Sequence, residues 1–320
     1  MLDVLNLALP FFGLIFLGLI CGRLDRIPVA GLAWMTFFII YAALPALFYR
    51  IMARTPLDQL AQPRFIAATT LATFTAFVLA FAIGFAMRRG HIAEATIAGL
   101  AGSFGNVGYM GPGLALSTLG PDAAAPVALI FCFDTLLLFS LVPLLMAFAG
   151  SKKRSVGSAA GEVVRRIVTN PFLVASALGA LSAAVHFQPP VALDRLLEFL
   201  QHAAAPCALF TLGVVVALRP LGRMPWEVPF LAAVKLVIHP TAVVLMLSLL
   251  GPFAEAWASA AVLMAALPPA LNVFVLAQQY DSWVTQASGA VLFGTLVSVV
   301  TLTAVLWLVK AHALPPALLH

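Results

Sequence analysis

Charged residues are scarce in this sequence. They make up 9% of its 320 residues, against 63% hydrophobic residues, and the mean hydropathy is +1.07. Soluble domains carry about 25% charged residues, so the composition excludes an ordinary soluble protein and predicts an all-α polytopic membrane protein. The net charge of +5 comes from basic residues in short connectors. That pattern is typical of topology control in a lipid bilayer, and we expect no nucleic-acid partner.

The sequence also lacks the motifs of several enzyme classes. Its three cysteines, Cys21, Cys132 and Cys207, lie inside apolar segments without the spacing of a disulfide framework or a metal site. There is no phosphate-binding loop, no paired His/Glu metal motif and no nucleophile elbow. We therefore expect a protein that is not an enzyme and that needs neither a cofactor nor a metal.

Long apolar runs dominate what remains. A membrane-spanning helix needs about 20 mostly apolar residues. The residues before the first run lack the positive charge of a secretory signal, so we expect that run to remain as a span. The sequence predicts ten transmembrane helices, at about residues 4–22, 30–50, 64–87, 94–119, 123–149, 168–187, 195–218, 228–250, 254–280 and 284–309.

Spans four and nine are interrupted near their middle by helix breakers. The first break reads GSFGNVGYMGPG (residues 102–113) and the second reads LPPALN (residues 267–272). Non-helical backbone at membrane depth is tolerated only where it is buried in protein or lines a cavity, and the ends of broken helices attract anions. We expect the two broken helices to cross there, with the asparagines capping the broken ends and donating to the substrate. The candidate substrate-binding residues are Asn106, Asn272, Gly105, Gly108, Tyr109, Pro112, Pro268 and Pro269. The alternative is that the glycine run is only a surface for helix packing.

The two halves of the chain show matching features in the same order. Pro45 in span two corresponds to Pro206 in span seven, and the break at Asn106 corresponds to the break at Asn272. Because each half has an odd number of spans, the second half must insert with opposite topology. The sequence thus predicts a 5+5 inverted repeat.

One long polar connector separates these halves. We assign residues 1–149 to the first five-helix repeat, 150–166 to a cytoplasmic basic linker, and 167–320 to the second repeat. Connectors on the cytoplasmic side of a membrane carry an excess of Lys and Arg, which is the positive-inside rule. Eleven basic residues lie in the connectors that follow odd-numbered spans, and five lie on the other side of the membrane. The first side should therefore be cytoplasmic and both termini periplasmic. The five that run against the rule include Arg50, Arg54 and Arg64.

Three ionisable residues fall inside predicted spans. Asp134 lies in span five, where a carboxyl group either faces a cavity or partner or is a neutral structural group. Lys235 and His239 share one face of span eight. Lys235 either snorkels to the interface or points inward, where it would compensate substrate charge or replace a coupling cation. His239 is either a proton relay or a core histidine.

These motifs together resemble the auxin efflux carrier family, which includes plant auxin exporters and bacterial transporters for malonate and related organic anions. The resemblance is carried by PFFG (10–13), Pro45, GNVGYMGP (105–112), Lys235 with Pro240, and PPALN (268–272). It implies a fold similar to bile-acid:sodium symporters and sodium/proton antiporters. In that fold spans one, two, six and seven form a scaffold and often a dimer interface, and the other spans carry the site. The short central connector differs from the long loop of the plant exporters, which favours a bacterial small-anion carrier.

The sequence therefore predicts a secondary active transporter of a small organic anion, a carboxylate, working by elevator-type alternating access. We expect it in the bacterial inner membrane, with proton coupling and a homodimer as further expectations. An anion channel or a membrane-embedded ligand sensor of the same fold is the alternative. A purely structural membrane protein would leave the paired asparagines unexplained.

Overall fold

Helices form all the regular structure in the described part of the chain. The computed structural model describes residues 2–24, 29–149, 156–218 and 225–314. The α-helices there are α1 (Leu2–Leu24), α2 (Ala33–Phe38), α3 (Leu44–Arg54), α4 (Leu57–Leu60), α5 (Pro63–Met87), α6 (Ile92–Ser103), α7 (Gly111–Leu119), α8 (Ala124–Phe148), α9 (Val156–Val168), α10 (Pro171–Ala184), α11 (Val191–Ala217), α12 (Val228–Ala233), α13 (His239–Leu250), α14 (Glu255–Ala265), α15 (Asn272–Gln279) and α16 (Val284–Lys310).

Seven helical segments in these residues are long and apolar enough to cross a membrane. They are Asn6–Leu24, Ala33–Arg54, Leu57–Met87, Pro121–Phe148, Val191–Ala217, Val228–Leu250 and Val284–Lys310. An eighth span results if Ala160–Val168 and Pro171–Ala184, which meet at a 58° bend, are counted together. The prediction of an all-helical polytopic membrane protein is confirmed.

The windows predicted for spans four and nine each contain two short helices. The first window holds α6 and α7, and the second holds α14 and α15. Helix α6 ends where Phe104 turns to extended backbone, and Pro112 lies in the first turn of α7. A proline there loses no helical hydrogen bond, because the first N–H groups of a helix have no partner within it. The helices are thus interrupted at both places where the sequence concentrates glycine or proline.

Two π-helical turns mark spans two and eight. One covers Ile39–Ala43 and precedes α3, and the other covers Val234–Ile238 and precedes α13. Pro45 and Pro240 lie in the first turns of these two helices. Single π turns within α-helices occur frequently at functional sites. The second of them carries Lys235.

Contacts divide the chain into two compact units that interleave along the sequence. Unit 1 comprises Met1–Gln62, Gly108–Leu129 and Thr169–Gly222, and unit 2 comprises Pro63–Val107, Ile130–Val168 and Arg223–His320. In unit 1, α1 packs along α11 and α3 packs against α10. In unit 2, α5 packs against α6 and α13, and α12 packs against α16. The chain passes from unit 2 to unit 1 inside the first break, between Val107 and Gly108.

This division groups spans one, two, six and seven in unit 1 and spans three, eight, nine and ten in unit 2. The resemblance implied that grouping, but it did not imply that residues 108–129 belong with unit 1. The predicted basic linker is helical from Val156 onward, as α9. Several residues used for the topology prediction lie outside the described residues: Arg26, Lys152, Lys153, Arg154, Arg219 and Arg223.

Candidate functional site

The two breaks are joined to each other by backbone hydrogen bonds within unit 2. The Asn106 N–H donates to the Pro268 carbonyl at 2.8 Å, and the Ala270 N–H donates to the Phe104 carbonyl at 2.9 Å. The pair forms an isolated antiparallel bridge between Gly105 and Pro269. A break exposes backbone groups that no water can satisfy at membrane depth. Here each break provides partners for the other.

The bridge brings five of the candidate substrate-binding residues into one short segment pair of unit 2. Gly105, Asn106, Pro268 and Pro269 are buried, and Asn272 is half-buried. The other three candidates, Gly108, Tyr109 and Pro112, belong to unit 1. In unit 1, Gly108 and Tyr109 are half-buried and Pro112 is buried.

The expected capping of a broken helix by Asn272 is wrong. Asn272 is the first residue of α15, and the cap position is Leu271, whose side chain makes no capping hydrogen bond. The cap of α7 is Met110, again without a side-chain bond, and α6 ends at Phe104. Because Asn272 does not occupy the cap position of α15, its side chain does not cap that helix end.

Lys235 points inward and is fully buried, with 0% of its surface exposed. The snorkelling alternative is therefore excluded. Its ammonium group donates to the Ala265 carbonyl at the C-terminal end of α14, and it lies 3.2 Å from His239 Nδ1. It also lies beside the first break, since a Cβ atom added to Gly105 would come 3.2 Å from Lys235 Nζ. The buried cation is thus placed against both breaks.

Asp134 and His239 complete a buried polar network around this lysine. Asp134 is 3% exposed, interacts with the Thr73 hydroxyl, and lies within electrostatic range of Lys235. His239 is 2% exposed, and its Nε2 lies 3.1 Å from the Thr73 hydroxyl. Asp134 Oδ1 has no hydrogen-bond partner among the described residues. An unpaired buried charge is costly, and Lys235 and Asp134 are buried groups of opposite charge type within electrostatic range of each other.

Sequence reasoning missed Thr73 as a member of this network. Its signal is weak: two threonines, Thr69 and Thr73, are spaced four residues apart on α5, and both are buried. Thr69 bonds back to the Phe65 carbonyl of its own helix, as most membrane threonines do. Thr73 differs because its hydroxyl meets His239.

Comparison with known proteins gives one family and several relatives. The sequence profile of the family described as "Membrane transport protein" matches residues 3–306. A Rhizobium meliloti (strain 1021) protein named "Putative malonate transporter" is 48% identical over 315 residues, which is 98% of both chains. "Auxin efflux carrier component 1" of Arabidopsis thaliana is 29% identical over 142 residues, covering 42% of this chain and 23% of that protein. "Auxin efflux carrier component 4" of the same plant is 28% identical over the same share of each chain.

Proposed function

The chain belongs to the membrane transport protein family, that of the auxin efflux carriers, and on this premise we propose that it is a secondary active transporter of a small organic anion. The substrate class is a short carboxylate such as malonate, which the name of the Rhizobium meliloti relative mentions. The observation that carries the proposal is the fully buried Lys235 ammonium beside two mutually bonded helix breaks. A buried positive charge next to non-helical backbone suits an anion.

We assign the substrate contacts to the two breaks. Asn106 and Asn272 carry amide groups that can donate to a carboxylate, and Pro268 and Pro269 prevent the second break from closing into a regular helix. Gly105 allows a ligand to approach the backbone of the first break closely. In this assignment the substrate carboxylate is bound by amide groups and stabilised by the charge of Lys235.

Proton coupling follows from the charges around the lysine. When Asp134 is ionised, it offsets the positive charge of Lys235. When Asp134 takes up a proton, that charge is no longer offset and stabilises the bound anion. Substrate and proton therefore favour each other's binding, with His239 and Thr73 as the polar connection next to the lysine.

The proposed architecture is ten spans in a 5+5 inverted repeat. The seven long segments, the bent pair α9 and α10, and the two interrupted pairs add up to that number. We place the protein in the bacterial inner membrane with both termini periplasmic. Transport would proceed by elevator-type alternating access, with unit 2 as the part that carries the substrate, and a homodimer is the proposed assembly.

Uptake of radiolabelled malonate into proteoliposomes tests the proposal. We expect saturable uptake in the wild type and its loss in Asn272→Ala, with normal expression and a normal elution profile. Gln278→Ala is the matched control, because this side chain is exposed near the other end of the same helix. Normal uptake by Asn272→Ala would remove the breaks from the substrate site. Uptake that never saturates would point to a channel.

A further inference from the structure

Unit 1 contains a cavity of about 530 Å³ next to the C-terminal half of α7. This volume lies within the range of about 300–1,000 Å³ that is typical of small-molecule sites. Two of the lining residues, Leu116 and Gly120, lie toward the C-terminal end of α7, and Gly111 begins the helix at its other end. At 1.5 Å per residue, α7 is about 13.5 Å long. The polar residues that line the cavity are Arg50, Arg54, Thr55, Gln59, Asp122 and Gln201.

Arg50 is a buried cation with poorly used hydrogen-bonding capacity. It is 4% exposed, and its Nε lies 3.4 Å from Asp194 Oδ1 without forming a hydrogen bond to any described residue. Its Nη2 is 3.5 Å from Asp194 Oδ2 and 4.0 Å from Glu198 Oε2. A guanidinium group has five N–H donors, and these contacts lie at or beyond the limit of hydrogen bonding. Arg50 therefore has donors to spare for another acceptor.

Two arginines and one acidic residue line the cavity, and the acidic partners of the arginines, Asp194 and Glu198, lie outside that lining. Arg54 binds both carboxylate oxygens of Asp194, at 3.2 Å and 3.1 Å, so one carboxylate serves two guanidinium groups. Asp122 is the one acidic residue of the lining. Arg50 and Arg54 also lie on the side of the membrane where the positive-inside rule predicts few basic residues. This indicates that they serve a purpose other than topology.

We infer that this cavity is a second binding site for the small carboxylate, at the C-terminal end of α7. Guanidinium groups bind carboxylates through paired, charge-assisted hydrogen bonds, and the amides of Gln59 and Gln201 add donors. The inference rests on the proposed function and deepens it, since such a site would capture the anion before or after its passage through the breaks. The phosphate of an anionic lipid head group has the same chemistry, so the experiment must separate the two sources.

Equilibrium binding of radiolabelled malonate to the purified chain in neutral detergent tests this inference. The variants are Arg54→Gln, Asn272→Ala and the double variant. Arg54 is 63% exposed, and surface ion pairs contribute little to stability, so Arg54→Gln should fold. We expect Arg54→Gln to weaken one class of malonate site by about tenfold or more and Asn272→Ala to remove the other. Arg64→Gln is the control, because it removes the same charge from an exposed arginine outside the cavity lining.

Each outcome separates the cavity from the proposed transport site. If Arg54→Gln binds malonate as the wild type does and only Asn272→Ala loses binding, the second site is overturned and the proposed function stands. If Arg54→Gln loses a site while Asn272→Ala loses none, the second site stands and the assignment of the breaks fails. Displacement of malonate by phosphatidylglycerol, but not by phosphatidylcholine, at the Arg54-dependent site would identify a lipid head-group site and overturn the small-carboxylate assignment.

Discussion

The ammonium group of Lys235 packs tightly against Gly105, on the side where any other residue would carry its Cβ atom. An added Cβ would lie 3.2 Å from Nζ and 3.3 Å from Cε of this lysine, and 3.4 Å from the Met264 carbonyl oxygen. Such distances are shorter than ordinary van der Waals contacts of about 3.5–4.0 Å between carbon atoms. The glycine of the first break and the lysine of the π turn are therefore fitted to each other.

Gly105→Ala should impair transport by displacing the lysine. The new methyl group would shift Nζ by a few tenths of an ångström relative to the Ala265 carbonyl and His239, both of which it contacts in the native packing. We expect malonate uptake in proteoliposomes to fall by about threefold or more, since a misplacement of about 1 Å can cost about a hundredfold in rate and a smaller shift costs correspondingly less.

A matched control for this change is Gly13→Ala in α1. A Cβ at Gly13 meets nothing within 4 Å, and alanine is the better helix former. Gly13→Ala should transport like the wild type. Equal uptake by both variants would mean that the lysine position does not matter for transport.

The charges of Lys235 and Asp134 should depend on each other for stability. The two groups are buried and within electrostatic range of each other, so removing either charge leaves the other uncompensated, which is costly. Lys235→Met and Asp134→Asn should each lower the midpoint of thermal unfolding of the purified protein. The double variant should recover most of that loss, because neither charge is left alone.

Measuring malonate uptake by the same variants separates the structural role of the two charges from their role in transport. The double variant should remain inactive in malonate uptake, since it lacks both the cation and the proton acceptor. If the two single losses in stability simply add in the double variant, the two side chains do not form a pair. A stable double variant with full uptake would remove both residues from the mechanism.

The sequence predicted the breaks well because their cause is local. Glycine and proline change backbone energetics wherever they stand, so the interruptions in spans four and nine are visible without a structure. The long apolar spans are equally local, because length and composition determine them.

The sequence could not decide whether the Lys235 side chain points inward or reaches the membrane interface, because this depends on which helices surround the eighth span. The same holds for Thr73, whose partner His239 lies on another helix. The expected cap by Asn272 failed for a different reason. The breaks satisfy backbone groups by pairing with each other, from Asn106 to Pro268 and from Ala270 to Phe104, and a pairing between residues so far apart in the sequence leaves no local signal.

Asn170 should contribute to stability without contributing to transport. Its side-chain oxygen accepts hydrogen bonds from the N–H groups of Phe172 at 3.0 Å and Leu173 at 3.2 Å, which caps α10. Asn170→Ala should destabilise the protein by about 1 kcal/mol, measured as a lower thermal unfolding midpoint. Asn170→Asp keeps the acceptor and should retain most of the stability. A fall in uptake by Asn170→Ala at unchanged stability would argue against a purely structural role.

Uptake should need a proton gradient and no sodium. In transporters with broken helices, backbone carbonyl groups of the unwound segments coordinate the coupling cation. Here the Lys235 ammonium donates a hydrogen bond to the Ala265 carbonyl at the end of α14 and takes the place of such a cation. Replacing external sodium by choline should therefore leave malonate uptake unchanged.

Acidifying the outside of the vesicles should stimulate uptake, because protonation of Asp134 frees the charge of Lys235 for the anion. Asp134→Asn mimics the protonated state permanently, so any uptake it retains should no longer respond to the gradient. Two results would contradict this coupling scheme. One is a tenfold drop in malonate uptake when choline replaces external sodium. The other is uptake by Asp134→Asn that responds to the proton gradient as strongly as uptake by the wild type. In the first case the lysine would not be serving in place of a metal cation. In the second case the proton would be carried by a group other than this carboxylate.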